Sequence, residues 1–322
     1  MRGRKTIFTV IVILCVMVVA LLGSCAGTPK RVDMFWDSAI LQNVTRLTDD
    51  GHVKFMPRVS PDGRMMLYSE ARGSQWNIVL FRDVNVPAKT QLVNGIAFNP
   101  AWYANNNNFV YASLESGSYR LIRSAITGGG RTYITRNPVG RNDNMPSVRG
   151  EVILFQTETA SQVWQIATMK DNGTEITFLG DGYHPSWHPS LPKFVFIRQG
   201  NVMEMDLASL QVTEIYNDPL FNSAYPSYSA DGQYILFQKG AERKVTGTAT
   251  TFFGNIATQT RRVTGTTINW QIFIMNANGT NLSTVTLDAV DAYHPSMDRN
   301  GFIYFISNAS GKPEIYRARV SL

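Results

Sequence analysis

Pro57-Arg58-Val59-Ser60-Pro61-Asp62-Gly63-Arg64, followed by Met66-Leu67-Tyr68-Ser69 and then Ile78-Val79-Leu80-Phe81, reads as strand, tight turn, strand, short connection and strand. Asp-Gly closes the first turn because both residues tolerate positive φ. The runs on either side are β-branched, aromatic and apolar, as strands require. The proline motif that opens this unit recurs along the chain. Its copies are Met56-Pro57-Arg58-Val59, Asn99-Pro100-Ala101-Trp102, Met145-Pro146-Ser147-Val148, His184-Pro185-Ser186-Trp187, Tyr225-Pro226-Ser227-Tyr228 and His294-Pro295-Ser296-Met297.

The prolines lie 43, 46, 39, 41 and 69 residues apart. Four of these intervals match the period of roughly 40–45 residues typical of four-stranded propeller blades. The long one signals an insertion at about 240–269, with the strand pattern resuming at Trp270. The spacing therefore predicts an all-β, six-bladed propeller. Asp231-Gly232 and Asn300-Gly301 repeat the tight turn, and Tyr234 to Gln238 and Phe302 to Ser307 repeat the second strand with period-two alternation.

The sixth unit ends after its third strand, at Leu322. A candidate fourth strand, Val44 to Thr48, lies at the other end of the repeat region. The 28 residues from Pro295 to Leu322 and the 14 from Asn43 to Met56 make up one 42-residue period. The expectation is that an amino-terminal strand completes the last blade and removes both free edges.

The first 24 residues have a different character. Arg2, Arg4 and Lys5 precede an almost unbroken apolar run from Ile7 to Leu22, the layout of an export signal. The run ends in Leu22-Gly23-Ser24-Cys25, which resembles the lipobox of bacterial lipoproteins. That resemblance implies cleavage before Cys25 and lipidation of its thiol. The only other cysteine, Cys15, lies inside the apolar run, so the mature chain has no disulfide. The expected organisation is a signal peptide over 1–24, a lipidated cysteine and tether over 25–42, and the propeller over 43–322. The expected location is the bacterial envelope, periplasmic or at the outer membrane, with the membrane reached through the Cys25 lipid.

The net charge of +6 shrinks to +3 once the three leader cations are removed. That small surplus, without any basic run or aromatic-interleaved stripe, argues against nucleic acid as a partner.

The repeat beginning at Pro57, together with the Leu47-Thr48 pair, resembles the TolB-type propeller family over Asn43 to Leu322. That family implies an envelope scaffold with a partner that is Pal-like or peptidoglycan-associated. Members carry an α/β domain ahead of the propeller, which has no counterpart here. No nucleophile elbow, zinc-binding His-Glu-x-x-His helix, phosphate loop or dinucleotide fingerprint occurs. The expectation is a monomeric protein-binding scaffold that is not an enzyme and uses no cofactor or metal. The alternative is a receptor for a small ligand or peptide at the channel mouth.

Two groups of residues are candidates for binding. The residue before each motif proline should face the central channel: Met56, Asn99, Met145, His184, Tyr225 and His294. The insertion carries Arg243, Lys244, Phe252, Phe253, Arg261 and Arg262 and is expected to form a projecting hairpin around Phe253-Gly254-Asn255, either a partner-binding arm or a solvated flap. Trp102 and Trp187 are expected in the core between blades, with Trp76, Trp164 and Trp270 assigned likewise.

Overall fold

A computed structural model describes residues 40–253, 256–286 and 290–321, with side chains described except over 241–268. Among these residues there is no helix, and the strands form six four-stranded antiparallel sheets. β1 is Leu41–Arg46. Blade 1 follows with β2 (Lys54–Val59), β3 (Met66–Arg72), β4 (Gln75–Phe81) and β5 (Lys89–Val93). Blade 2 has β6 (Ala97–Trp102), β7 (Asn108–Glu115), β8 (Ser118–Ala125) and β9 (Thr132–Tyr133). Blade 3 has β10 (Asp143–Arg149), β11 (Val152–Glu158), β12 (Trp164–Lys170) and β13 (Thr177–Asp181). Blade 4 has β14 (Tyr183–Trp187), β15 (Lys193–Arg198), β16 (Asn201–Asp206) and β17 (Val212–Tyr216). Blade 5 has β18 (Ser223–Tyr228), β19 (Tyr234–Phe253), β20 (Ile256–Asn276) and β21 (Ser283–Thr284). Blade 6 has β22 (Ala292–Met297), β23 (Phe302–Ser307) and β24 (Glu314–Val320), and its fourth strand is β1.

β1 runs antiparallel to β24, from Leu41 opposite Val320 to Arg46 opposite Tyr316. The sheet starts at Leu41, two residues before the expected propeller boundary, because the Leu41 side chain is buried in the core shared by blades 5 and 6. Just past β1, Leu47 N–H donates to the Ile315 carbonyl at 2.7 Å, and Thr48 Oγ1 accepts from Ile315 N–H at 2.9 Å. The same device ends two other blades. Thr135 Oγ1 accepts from Leu121 N–H at 2.8 Å, and Thr286 Oγ1 accepts from Ile272 N–H at 2.9 Å. An apolar residue followed by Thr thus stops each of these outer strands. The apolar side chain is buried, and the hydroxyl takes over the pairing that the strand no longer supplies.

The first turn is held by side chains as well as by glycine. Ser60 Oγ donates to Asp62 Oδ1 at 2.5 Å and accepts from Met65 N–H at 2.9 Å, while Gly63 sits at φ +78°. Ser229, Asp231 and Gly232 repeat this arrangement in blade 5.

Six buried apolar clusters make up the core, and each joins two neighbouring blades. Successive residues of a second strand feed opposite clusters. On β3, Leu67 packs towards blade 2, and Met66 and Tyr68 pack towards blade 6. On β7, Phe109 and Tyr111 face blade 1, and Val110 and Ala112 face blade 3. Both faces of each second strand are therefore buried, which explains why these runs are apolar throughout and not half polar. Burying a Leu or Phe of this kind contributes about 2 kcal/mol.

Trp102 and Trp187 lie in these clusters, as their spacing predicts. Trp76, Trp164 and Trp270 do not. They begin or enter third strands and stay half-buried, and the Trp76 ring packs on Phe98 of the next blade at 4.7 Å.

Candidate functional site

Each blade's innermost strand carries its proline at a bulge. The register shifts between Phe55 and Arg58, Phe98 and Ala101, Asn144 and Ser147, Tyr183 and Ser186, Ala224 and Ser227, and Tyr293 and Ser296. Proline has no N–H to give to a ladder, so an inner-edge strand with a bulge is where it can sit. The residue before it takes the unusual conformation. Met56, Asn99, Met145, His184, Tyr225 and His294 all have φ between 51° and 54°. Non-glycine residues rarely hold this left-handed geometry, and it costs on the order of 1 kcal/mol each. Six strained positions at one level of a channel re-aim six side chains. The recurrence of the proline marks the level, but the left-handed geometry was not legible in it.

The six candidates divide into two groups. Met56, Asn99 and Met145, from blades 1 to 3, line a cup of about 520 Å³. His184, Tyr225 and His294, from blades 4 to 6, pack on one another. The His184 ring stacks on Tyr225 at 3.8 Å, and Tyr225 meets His294 edge-on at 4.4 Å. Phe55 closes against His294 at 4.0 Å. Gln156 and Gln238 each reach into the next blade, where their Oε1 atoms accept the backbone N–H of His184 and His294 at 2.8 Å. The histidines stand two blades apart, yet Tyr225 bridges them into one aromatic plug.

Burial holds both imidazoles neutral. His184 is pulled down to about 3 from an ordinary 6.5, and His294 also lies well below that value, with the Arg58 charge adding to both. His188 is a structural residue, with its Nδ1 accepting from Leu191 N–H at 3.0 Å. Among the described residues, no three of His, Cys, Asp and Glu come together as a metal-holding group.

The wall of the cup comes from the residue after each proline: Arg58, Ala101, Ser147, Ser186, Ser227 and Ser296. Hydroxyls stitch this ring together. Ser296 Oγ donates to the Pro57 carbonyl at 2.9 Å, Ser227 Oγ donates to the Pro295 carbonyl at 3.4 Å, and Ser147 Oγ accepts from Trp187 N–H at 3.0 Å. Arg58 replaces a serine in blade 1. Its Nη1 donates to the Pro295 carbonyl at 3.2 Å, and its Nη2 lies 3.7 Å from the Met56 sulfur. No carboxylate pairs with it among the described residues. Burial lowers Arg58 to about 10, which still leaves it charged at neutral pH. A half-buried cation without an anion carries a desolvation cost that a ligand's negative charge would offset. Arg58 is the functional candidate that the sequence comparison of blades overlooked. The signal was present, since Arg58 is the one charged residue at that position in the six copies.

The insertion candidates fall on β19 and β20, which pair in blade 5 and run on together with one register shift between Val245 and Thr246, with Arg243 opposite Thr267, Lys244 opposite Thr266 and Phe253 opposite Ile256. The side chains of Arg243, Lys244, Phe252, Phe253, Arg261 and Arg262 lie outside the described residues, as do Cys25, the leader and the tether up to residue 39.

No protein-family model matches the chain, and no curated protein matches it. Solved structures do. A TolB candidate from Agrobacterium tumefaciens superposes with a TM-score of 0.59 at 14% identity, over 87% of this chain and 97% of that one. A gluconolactonase from Xanthomonas campestris gives 0.60 at 13% identity, over 88% and 91% of the two chains. An oligogalacturonate lyase in complex with manganese gives 0.57 at 13% identity, over 89% and 95%. These matches overturn the expectation of a chain that is not an enzyme. The two enzymes are almost entirely covered by the match, so a propeller of this kind needs no separate catalytic domain to carry chemistry. What this chain shares with all three is the β-propeller fold.

Proposed function

We propose that the cup at the Arg58 end of the channel binds an anionic ligand through a carboxylate, in a propeller exported to the bacterial envelope and held there by a lipid on Cys25. One observation carries the ligand class: the half-buried Arg58 guanidinium has no ion-pair partner among the described residues and lines a cup of about 520 Å³. A guanidinium takes a carboxylate in bidentate fashion, with two parallel hydrogen bonds. The serine hydroxyls and Asn99 around it suit the hydroxyls or amides of an acidic sugar or of a peptide's carboxyl terminus. The neutral plug of His184, Tyr225 and His294 adds no competing charge. A Pal-like or peptidoglycan-associated envelope protein would present such a terminus, and an acid sugar would present the same group as a small molecule.

The test is a calorimetric titration of the full chain with trigalacturonate, with gluconate, and with a tripeptide in free-acid and amidated forms. The reading expects one acidic probe to bind saturably and its neutral counterpart to fail. Equal binding of free-acid and amidated forms would count against it. Mass spectrometry of the recovered probes shows whether the bound acid is released intact or converted. Anchoring is tested separately, by palmitate labelling of wild-type protein and a Cys25→Ala variant in the native cell. Equal label in both removes the lipid from the account.

A further inference from the structure

A second concave site lies away from the channel, on the outer side of blade 2. It is a cup of about 410 Å³ lined by Arg120, Arg131, Thr132, Tyr133 and Arg136. Arg120 comes from β8, and Thr132 and Tyr133 are β9, which pairs with β8 through Tyr133 opposite Ile122 and Thr132 opposite Arg123. The connection leaving β9 brings Arg136 back over the same edge. Its carbonyl accepts a hydrogen bond from Arg120 Nη1, which fixes the Arg120 guanidinium in place. Arg120 Nε is buried and has no hydrogen-bond partner.

Three guanidiniums in one small cup repel one another, and a single acid offsets them. Arg131 is paired with Glu115, to which the Tyr133 hydroxyl also donates at 3.4 Å. Arg131 also stands over the Tyr133 ring, 5.8 Å from its centroid. Arg120 and Arg136 have no carboxylate partner among the described residues. The cup therefore keeps a surplus of two positive charges and two hydroxyl-bearing side chains. A ligand that satisfies all of these has several oxygens and two negative charges.

We propose that this cup binds a phosphate group, as the free ion or as a monoester. A phosphate monoester carries close to two charges at neutral pH and three acceptor oxygens, and clustered arginines are the common protein answer to it. The site is independent of the channel cup and does not rest on the carboxylate reading of Arg58.

Calorimetric titration of the full chain with inorganic phosphate and with glycerol 1-phosphate tests the assignment. Saturable binding is expected for at least one probe, weakened about tenfold or more in Arg120→Gln/Arg136→Gln and unchanged in Arg58→Gln. Preference for glycerol 1-phosphate identifies an esterified headgroup as the source, and equal or weaker binding identifies the free ion. Because Arg120 is half-buried, Arg136→Glu is measured in parallel; this exposed charge reversal leaves the fold intact and should also remove binding. The proposal is overturned if neither probe binds saturably, or if binding survives in Arg136→Glu.

Discussion

Lys54 Nζ lies 2.9 Å from Glu314 Oε2 across the seam between the first and last blades, with no side-chain exposure on the lysine and 2% on the glutamate. Glu314 also accepts from Thr48 Oγ1 at 2.5 Å and from Gly51 N–H at 2.7 Å. Lys54 is held as well by Asp50 at 2.6 Å. The amino-terminal connection, the first blade and the last blade thus meet at one buried charge pair.

Removing one member of that pair leaves the other charge buried and only partly compensated. Glu314→Ala should lower unfolding stability by about 3 kcal/mol, in the range for a broken buried ion pair. Glu314→Ala/Lys54→Met should recover part of the loss. Urea denaturation measures both, and a double variant as unstable as the single one would show that the seam does not depend on this pair.

The plug of His184, Tyr225 and His294 makes acid stability measurable at named residues. His184 stays neutral in the fold down to about 3, against an ordinary 6.5, because burial and the nearby Arg58 charge oppose protonation. The unfolded chain therefore binds more protons than the folded one between these values. The contribution of the plug is complete above pH 6.5 and is lost as the pH falls. His184→Asn/His294→Asn should show a shallower loss of stability than wild type between pH 6.5 and about 4. Identical slopes in the two proteins would contradict the burial of these rings.

The blade count was legible because the proline, the Asp-Gly turn and the apolar second strand recur at a fixed spacing, and each has a local physical cause. The Leu47-Thr48 pair was legible for the same reason, since the hydroxyl bonds within its own sheet. What escaped were properties that depend on the whole ring. Met56 and His184 occupy equivalent sequence positions, yet one lines a cup and the other belongs to a plug. Only the identity of the residues across the channel decides between them. The expectation of a non-catalytic chain failed because it rested on the absence of contiguous motifs such as a nucleophile elbow, whereas a propeller can bring single residues from several blades to one channel.

Arg58 is expected to be a functional residue and not a structural one. Replacing this half-buried charge, which has no carboxylate partner among the described residues, by an apolar side chain of similar length removes a desolvation cost and one hydrogen bond. Arg58→Met should therefore leave stability within about 1 kcal/mol of wild type or raise it. A loss of several kcal/mol would show that the guanidinium holds the ring together through the Pro295 carbonyl.

Packing between blades is tested at Gly173, in the turn after β12. Its φ is +84°, and a Cβ there would lie 2.2 Å from the Ile134 carbonyl oxygen of blade 2. Gly173→Ala combines backbone strain with a clash against main chain that cannot swing aside, and should cost about 2–3 kcal/mol. Gly150→Ala is the control, since it also has positive φ, at +59°, but meets nothing within 4 Å. Equal costs in the two variants would remove the contact between blades 2 and 3 at this turn.

The most direct test of the carboxylate reading compares wild-type protein and Arg58→Gln in calorimetric titrations with the acidic probe that binds best. The expected result is an affinity at least about tenfold weaker in Arg58→Gln, with the melting temperature of the free protein unchanged. Equal affinities in the two proteins would contradict the assignment of Arg58 as the ligand's counter-ion.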